Sequence, residues 1–129
     1  DASSVTLWGT GNPKREFVFV EDVASASLFA VENAHRLENN HYNMGTGKEY
    51  SIKQLASIIA EIVRYKGQIR WDKTKPDGAP GKLRDSSKFC HLGWNPKTEL
   101  REGIKQTYKW YKSQKSRQTN SPNSFSIKD

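Results

Sequence analysis

Apolar positions first recur at a spacing of two and later at three to four, so strands and helices are expected to alternate. Val5 to Trp8 form a short β-prone run, and Gly9 to Lys14 combine Gly, Asn and Pro in a turn. Phe17 and Phe19 then alternate with Val18 and Val20, which predicts a strand apolar on both faces and therefore buried. Asp22 is the expected N-cap of a helix over residues 23–36. Ala24, Ala26, Leu28, Ala30 and Val31 give that helix a small-residue side suited to close packing on a sheet. HYNMGTG, residues 41–47, predicts a brief strand closing in a glycine turn.

Ser51 and Gln54 have capping-box spacing, and Ile52, Leu55, Ile58, Ile59 and Ile62 make one apolar stripe. Gly67 suits the position just past that helix, and QIRWD, residues 68–72, is a further strand. Residues 73–84 are a Lys-, Pro- and Gly-rich loop, and Asp85 or Ser86 can cap a short helix ending at Gly93. Thr98 can cap the last helix, with Leu100, Ile104, Tyr108 and Tyr111 along one face. From about Ser116 the chain turns Ser-, Asn- and Gln-rich, which predicts a disordered tail over residues 116–129. The order β-β-α-β-α-β-α-α defines an α/β chain, too irregular for a complete doubly wound sheet.

Composition narrows the partners. The 129 residues fit one modest domain, yet an apolar fraction of 34% suggests a polar tail or a piece of something larger. The net charge of +7 raises nucleic acid or an anionic ligand as partner. Residues 97–129 carry eight Lys/Arg against three Asp/Glu, so most of the excess reads as a solvated basic helix face and tail. The chain opens on Asp1 with no apolar leader and holds no apolar run of membrane length, so neither a signal peptide nor a membrane partner is expected. A single cysteine, Cys90, cannot form an internal disulfide and points to a reducing, cytoplasmic setting.

Several motifs fail on chemistry. Gly9-x-Gly11 lacks the third glycine of a dinucleotide fingerprint, because Lys14 stands there and a strand follows in place of a helix. No P-loop is present. Tyr108 and Lys112 imitate a Tyr-x-x-x-Lys proton-transfer pair, but Tyr108 lies on an apolar helix stripe beside the tail. Cys90 and His91 are adjacent and do not face each other on a helix, so Cys90 reads as a small core residue. His35 and His41 read as surface residues, and no Cys/His set has zinc spacing.

Two places do gather convergent polar groups. Trp8 offers a flat face and Arg15 a planar fork on either side of the glycine turn. In KPDGAPGK, residues 75–82, two prolines and two glycines fix a loop shape; Asp77 can accept from sugar hydroxyls and Lys82 can pair with phosphate. A rim Trp with a surface Arg, and a plain solvent loop, are the simpler alternatives. Jointly the four residues suit a nucleotide diphosphate.

WGTGNPKREFVFVEDVASA, YNMGTG, SIKQLASIIAEIVRYKG, KPDGAPGKLRDSSKF and LGWNPKTELREGIKQTYKWY resemble, in that order, the GDP-L-fucose synthase family of extended short-chain dehydrogenases/reductases. The similarity covers about residues 4–112. It implies the C-terminal substrate-binding part, residues 1–115, of an enzyme with an N-terminal Rossmann domain. The family's reaction converts GDP-4-keto-6-deoxy-D-mannose to GDP-L-fucose by 3,5-epimerisation and NADPH-dependent 4-reduction. The resemblance implies that Trp8 lines the substrate pocket, that Arg15 and Lys82 hold the diphosphate, and that Asp77 binds hydroxyls on the guanosine side. It also implies NADP on the N-terminal domain, a cytoplasmic homodimer, and a chain inactive by itself, since the motifs of the catalytic and cofactor sites are absent here. Residues 22–47 would pack on the Rossmann sheet, leaving Phe17, Phe19 and Leu28 short of partners without it. Gly81 departs from the basic residue usual in the family. Another nucleotide-sugar epimerase or dehydratase, or a basic nucleotide- or nucleic-acid-binding module, is the alternative.

Overall fold

The computed structural model describes residues 3–38 and 41–119, with side chains up to Ser116. Strand β1, Ser4–Trp8, pairs in parallel with β4, Gln68–Asp72, in a register that sets Ser4 opposite Gln68 and Trp8 opposite Asp72. Strand β2, Lys14–Glu16, pairs antiparallel with β3, Glu49–Ser51. The elements alternate as expected, but the second and third strands fall at Lys14–Glu16 and Glu49–Ser51, not at Phe17–Val20 and residues 41–47, and a 3-10 turn lies at Ala34–Arg36. It is an α/β chain built on two small sheets.

Helix α2, Ile52–Val63, covers the parallel pair. Its Ile52, Leu55, Ala56, Ile59 and Val63 share an apolar groove of about 350 Å³ with Val5, Leu7 and Ile69. The capping box forms as spaced: the Gln54 N–H donates to Ser51 Oγ at 3.0 Å, and the Ser51 N–H donates to Gln54 Oε1 at 2.8 Å. The helix ends on Arg64, in the left-handed region at φ 57°, so Gly67 is not its capping glycine. The Arg64 and Tyr65 N–H groups reach back to Glu61 and Ala60, and the turn closes before Gly67 is reached.

Helix α1, Val20–Glu32, starts earlier than its sequence suggests. Phe19 is the N-cap and its carbonyl accepts from Val23 at 3.1 Å. The strand expected over Phe17–Val20 is absent, because its short partner ends the ladder at Glu16 and the helix claims Val20. Asp22 thus lies inside the first turn, 5% exposed, and does not cap. Its carboxylate instead accepts from the backbone N–H groups of Lys97 at 3.2 Å and Thr98 at 2.9 Å. That contact fixes the entry to α4, Leu100–Thr119.

The buried centre joins α1, the short α3 at Ser87–His91, and residues 42–44. Ala26, Phe89 and Trp94 form it, with Phe29 edge-on to Phe89 at 5.7 Å between ring centres. Trp94 Nε1 donates to Ser25 Oγ at 3.0 Å, which satisfies the indole as it is buried. Phe89 carries the burial expected of its neighbour Cys90, which is half-buried. Residues 41–46 run without a ladder partner among the described residues, so HYNMGTG is not a strand. On α1, Val20, Leu28 and Val31 stay open to solvent, Val31 at 74%. Helix α4 continues to Thr119, past the expected end at Ser116; residues 120–129 of the expected tail lie outside the described residues.

Candidate functional site

The glycine turn after β1 is a buried scaffold. Gly9 and Gly11 have φ of +78° and +76°, and the turn lies against the Trp71 ring of β4. The Gly9 N–H continues the parallel ladder to Asp72 O at 2.9 Å. On the other side, the carbonyls of Gly11 and Pro13 accept from Lys53 at 2.9 Å and Ile52 at 3.0 Å. These are first-turn amides of α2, which otherwise lack partners.

This pairing settles what the turn can hold. A dinucleotide cradle needs a helix N-terminus with open amides aimed at the pyrophosphate. Here those of α2 are occupied by the turn and the capping box, so the described residues do not fit NADP at this place.

The 73–84 loop is stitched to the outer edge of the turn. The Thr10 N–H donates to Asp77 Oδ1 at 2.8 Å and its hydroxyl to Oδ2 at 2.5 Å. The Lys14 N–H donates to Pro80 O at 2.8 Å, and Arg15 Nη1 donates to Ala79 O at 2.7 Å and Lys14 O at 2.6 Å. The Lys82 N–H donates to Glu49 Oε1 at 3.1 Å. At the start of the loop, Asp72 Oδ1 accepts from the Thr74 amide and hydroxyl.

The stitching sets Asp77 against Thr10, two positions after Trp8, Arg15 against Gly78 and Ala79, and the Lys82 backbone against Glu49 of β3. Trp8 is 74% exposed, with the Lys75 ammonium 5.7 Å from its ring centre. Arg15 is half-buried and donates only to carbonyls among the described residues, so its charge is not neutralised by a carboxylate. Just beyond Lys82, Leu83 and Arg84 help line an open cleft of about 720 Å³ with Gly45, Thr46 and Cys90.

Glu16 and Glu49, to which the sequence assigns no role, and Asp22, expected only as a helix cap, organise this region. Glu16 Oε1 accepts from the backbone N–H groups of Thr46 at 2.6 Å and Gly47 at 2.7 Å, fixing the second glycine turn. Glu49 holds Lys82, and Asp22 holds residues 97–98. Each acts across 30 or more positions in sequence, and no local spacing announces such a pair. The two discounted motifs lie on α4 and α3. Lys112 sits over the Tyr108 ring at 4.9 Å, and His91 is exposed. No group of three or more His, Cys, Asp or Glu gathers as a metal set among the described residues. No helix there is long and apolar enough to cross a membrane.

The Thr10 hydroxyl and then its amide hold the Asp77 carboxyl below the usual aspartate range. A lowered folded-state pKa means the contact is present above the ordinary value and is lost as pH falls through the lowered one. The Thr10 amide proton resonance should therefore titrate with a midpoint below about 3.9, the ordinary aspartate value. A midpoint at or above that value would show that the carboxylate does not accept from Thr10. The Lys48 pKa is raised by its hydrogen bond to Glu99, 2.7 Å away, in an exposed pair.

Comparison with known proteins finds similarity at two levels. Residues 1–45 match the NAD dependent epimerase/dehydratase family, and the α/β fold agrees with solved structures of that kind. The chain is also similar to GDP-L-fucose synthases. It is 50% identical over 110 residues to GDP-L-fucose synthase 1 of Arabidopsis thaliana, covering 85% of this chain and 33% of that protein. A GDP-6-OMe-4-keto-L-xylo-heptose reductase from C. jejuni superposes with a TM-score of 0.79 at 38% identity, over 87% of this chain and 34% of that one. A GDP-mannoheptose C4 reductase from Campylobacter jejuni, solved with NADP bound, gives 0.74 at 38% identity, over 85% and 35%. The chain thus spans about a third of the length of the relatives it matches.

Proposed function

We propose that the wall of Trp8, Arg15 and Lys82, with Asp77 at its edge, binds the GDP part of a nucleotide sugar. On this reading the chain is the substrate-binding portion, residues 1–115, of an NADP-dependent GDP-sugar epimerase/reductase. The observation that carries it is the stitching of the 73–84 loop onto the glycine turn. It holds Asp77 beside the turn that follows the exposed Trp8 indole and the un-neutralised Arg15 guanidinium beside Ala79, which supports a shared surface with Lys82. An indole face suits a base or sugar, and a planar guanidinium pairs with phosphate oxygens through parallel N–H bonds. The relatives supply the base: each acts, by name, on a GDP sugar or makes one.

The reaction we assign to the whole enzyme is that of GDP-L-fucose synthase: epimerisation at carbons 3 and 5 of GDP-4-keto-6-deoxy-D-mannose and reduction at carbon 4. NADPH would supply the hydride for that reduction, held by residues outside this chain together with the proton-transfer groups. Within the chain, Arg15 and Lys82 would hold the diphosphate and Trp8 would wall the sugar side. The enzyme would work as a cytoplasmic homodimer, and this chain alone would bind without turning over.

Calorimetric titration with GDP, UDP and dTDP tests the reading. GDP should bind at least about tenfold more tightly than either pyrimidine nucleotide, a difference of about 1.4 kcal/mol. Equal affinities would favour another nucleotide-sugar enzyme. No nucleotide binding, with salt-sensitive RNA binding that survives removal of residues 97–129, would favour a basic binding module.

A further inference from the structure

We propose that Thr10 is a positioning residue that locks the 73–84 loop into its ligand-binding shape before any ligand arrives, by holding Asp77 through both carboxylate oxygens. The inference rests on the GDP reading for its purpose, but the geometry of the lock stands by itself.

Asp77 is the only acid in the loop, among Lys73, Lys75, Lys82 and Arg84. Left loose, it would pair with whichever cation lay nearest and cancel charge that a diphosphate needs. Arg15 is near enough for that: a Cβ on Gly78, next to Asp77, would lie 2.9 Å from Arg15 Nη2. The carboxylate turns instead to a neutral residue. Thr10 meets it with a backbone N–H on one oxygen and a hydroxyl on the other, a two-point grip that fixes its plane as well as its distance. The Thr10 hydroxyl oxygen also accepts from the Asn12 N–H at 3.2 Å, which orients it for donation to Asp77.

The remaining contacts hold the start of the loop, at Thr74, or its later parts. Pro80 and Ala79 are joined through their carbonyls, and Lys82 through its amide. Thr10 alone grips a side chain in the Pro76–Gly78 stretch among the described residues. The site also leaves room for the grip: a Cβ on Gly9 would collide with Asp77 Oδ1. Thr10 lies between the two glycines whose role looked purely conformational, and its hydroxyl is what joins turn to loop. Asp77 then serves the wall by where it is held, and Arg15 keeps its charge for an anion.

The test compares the full chain with Thr10→Val, which keeps shape and amide but loses the hydroxyl, and Thr10→Ser, which restores it. Two readouts are needed. Trypsin cleavage after Lys73 and Lys82 without ligand reports loop order, and GDP calorimetry reports the site. Thr10→Val should raise loop cleavage and weaken GDP each about tenfold, with the melting temperature nearly unchanged, and Thr10→Ser should stay within about twofold of wild type. The proposal is overturned if Thr10→Val cleaves at the wild-type rate, if it loosens the loop yet binds GDP normally, or if Thr10→Ser behaves like Thr10→Val. If the wild-type chain binds no GDP, the nucleotide reading falls separately. Faster loop cleavage in Thr10→Val would then still support the lock, and an unchanged rate would overturn it.

Discussion

Replacing Asp22 with alanine should lower the unfolding free energy of the chain by about 3 kcal/mol, the largest loss expected from any polar side chain here. The carboxylate is 5% exposed and accepts two backbone N–H groups, those of Lys97 and Thr98. Alanine leaves both part-buried donors without their acceptor, and an unsatisfied buried donor costs about 1–3 kcal/mol. The negative charge in the first turn of α1 adds a smaller favourable interaction with that helix end. Asp22→Asn should be milder, at about 1–2 kcal/mol, because an amide oxygen still accepts one of the two bonds. Urea unfolding of Asp22→Ala and Asp22→Asn checks this. A loss below about 1 kcal/mol in the alanine variant would mean that residues 97–98 find other acceptors, and that Asp22 does not tie α4 to α1.

That residue also shows where the sequence was readable and where it was not. Local chemistry read well. The Ser51–Gln54 capping box, the strands at Val5–Trp8 and Gln68–Asp72, and the loop over 73–84 all depend on neighbours within a few positions. Asp22 failed because two uses compete for one carboxylate. An acid before an apolar run reads as a cap, while its actual donors lie 75 and 76 positions away. Phe17–Val20 failed for a related reason: the alternation was real, but a strand needs a partner of matching length, and β3 ends the ladder at Glu16. The four wall residues could be named as chemistry from composition and by resemblance. The contact that ties the loop to the turn could not, since it has Thr10 reaching Asp77 across 67 positions. The open apolar face of Val20, Leu28 and Val31 is the same lesson in reverse: the pattern promises packing, and nothing among the described residues covers it.

Gly11→Ala should cost about 2–4 kcal/mol and carry the candidate site with it. Two penalties add at this position. With φ at +76° an L-residue pays about 1–2 kcal/mol. A Cβ there would also lie 2.5 Å from Trp71 Cη2 and within 2.9 Å of two more ring atoms. Trp71 is half-buried on β4 beside the parallel pair, so the ring can retreat only by disturbing the strand or the turn. If the turn moves, the Gly11 carbonyl withdraws from the Lys53 amide, and Thr10 shifts away from Asp77. The effect should therefore appear twice: as a lower urea midpoint, and as weaker GDP binding in the fraction that remains folded. Gly47→Ala is the control. Its φ is +70°, but no atom lies within 4 Å of the added Cβ, so only the backbone penalty applies. Equal losses at the two positions would show that the Trp71 contact adds nothing, and that the turn is held by its backbone alone. A larger loss at Gly11, joined to weaker GDP binding, would mean that the glycine is required because an indole and a nucleotide wall are built on either side of one turn.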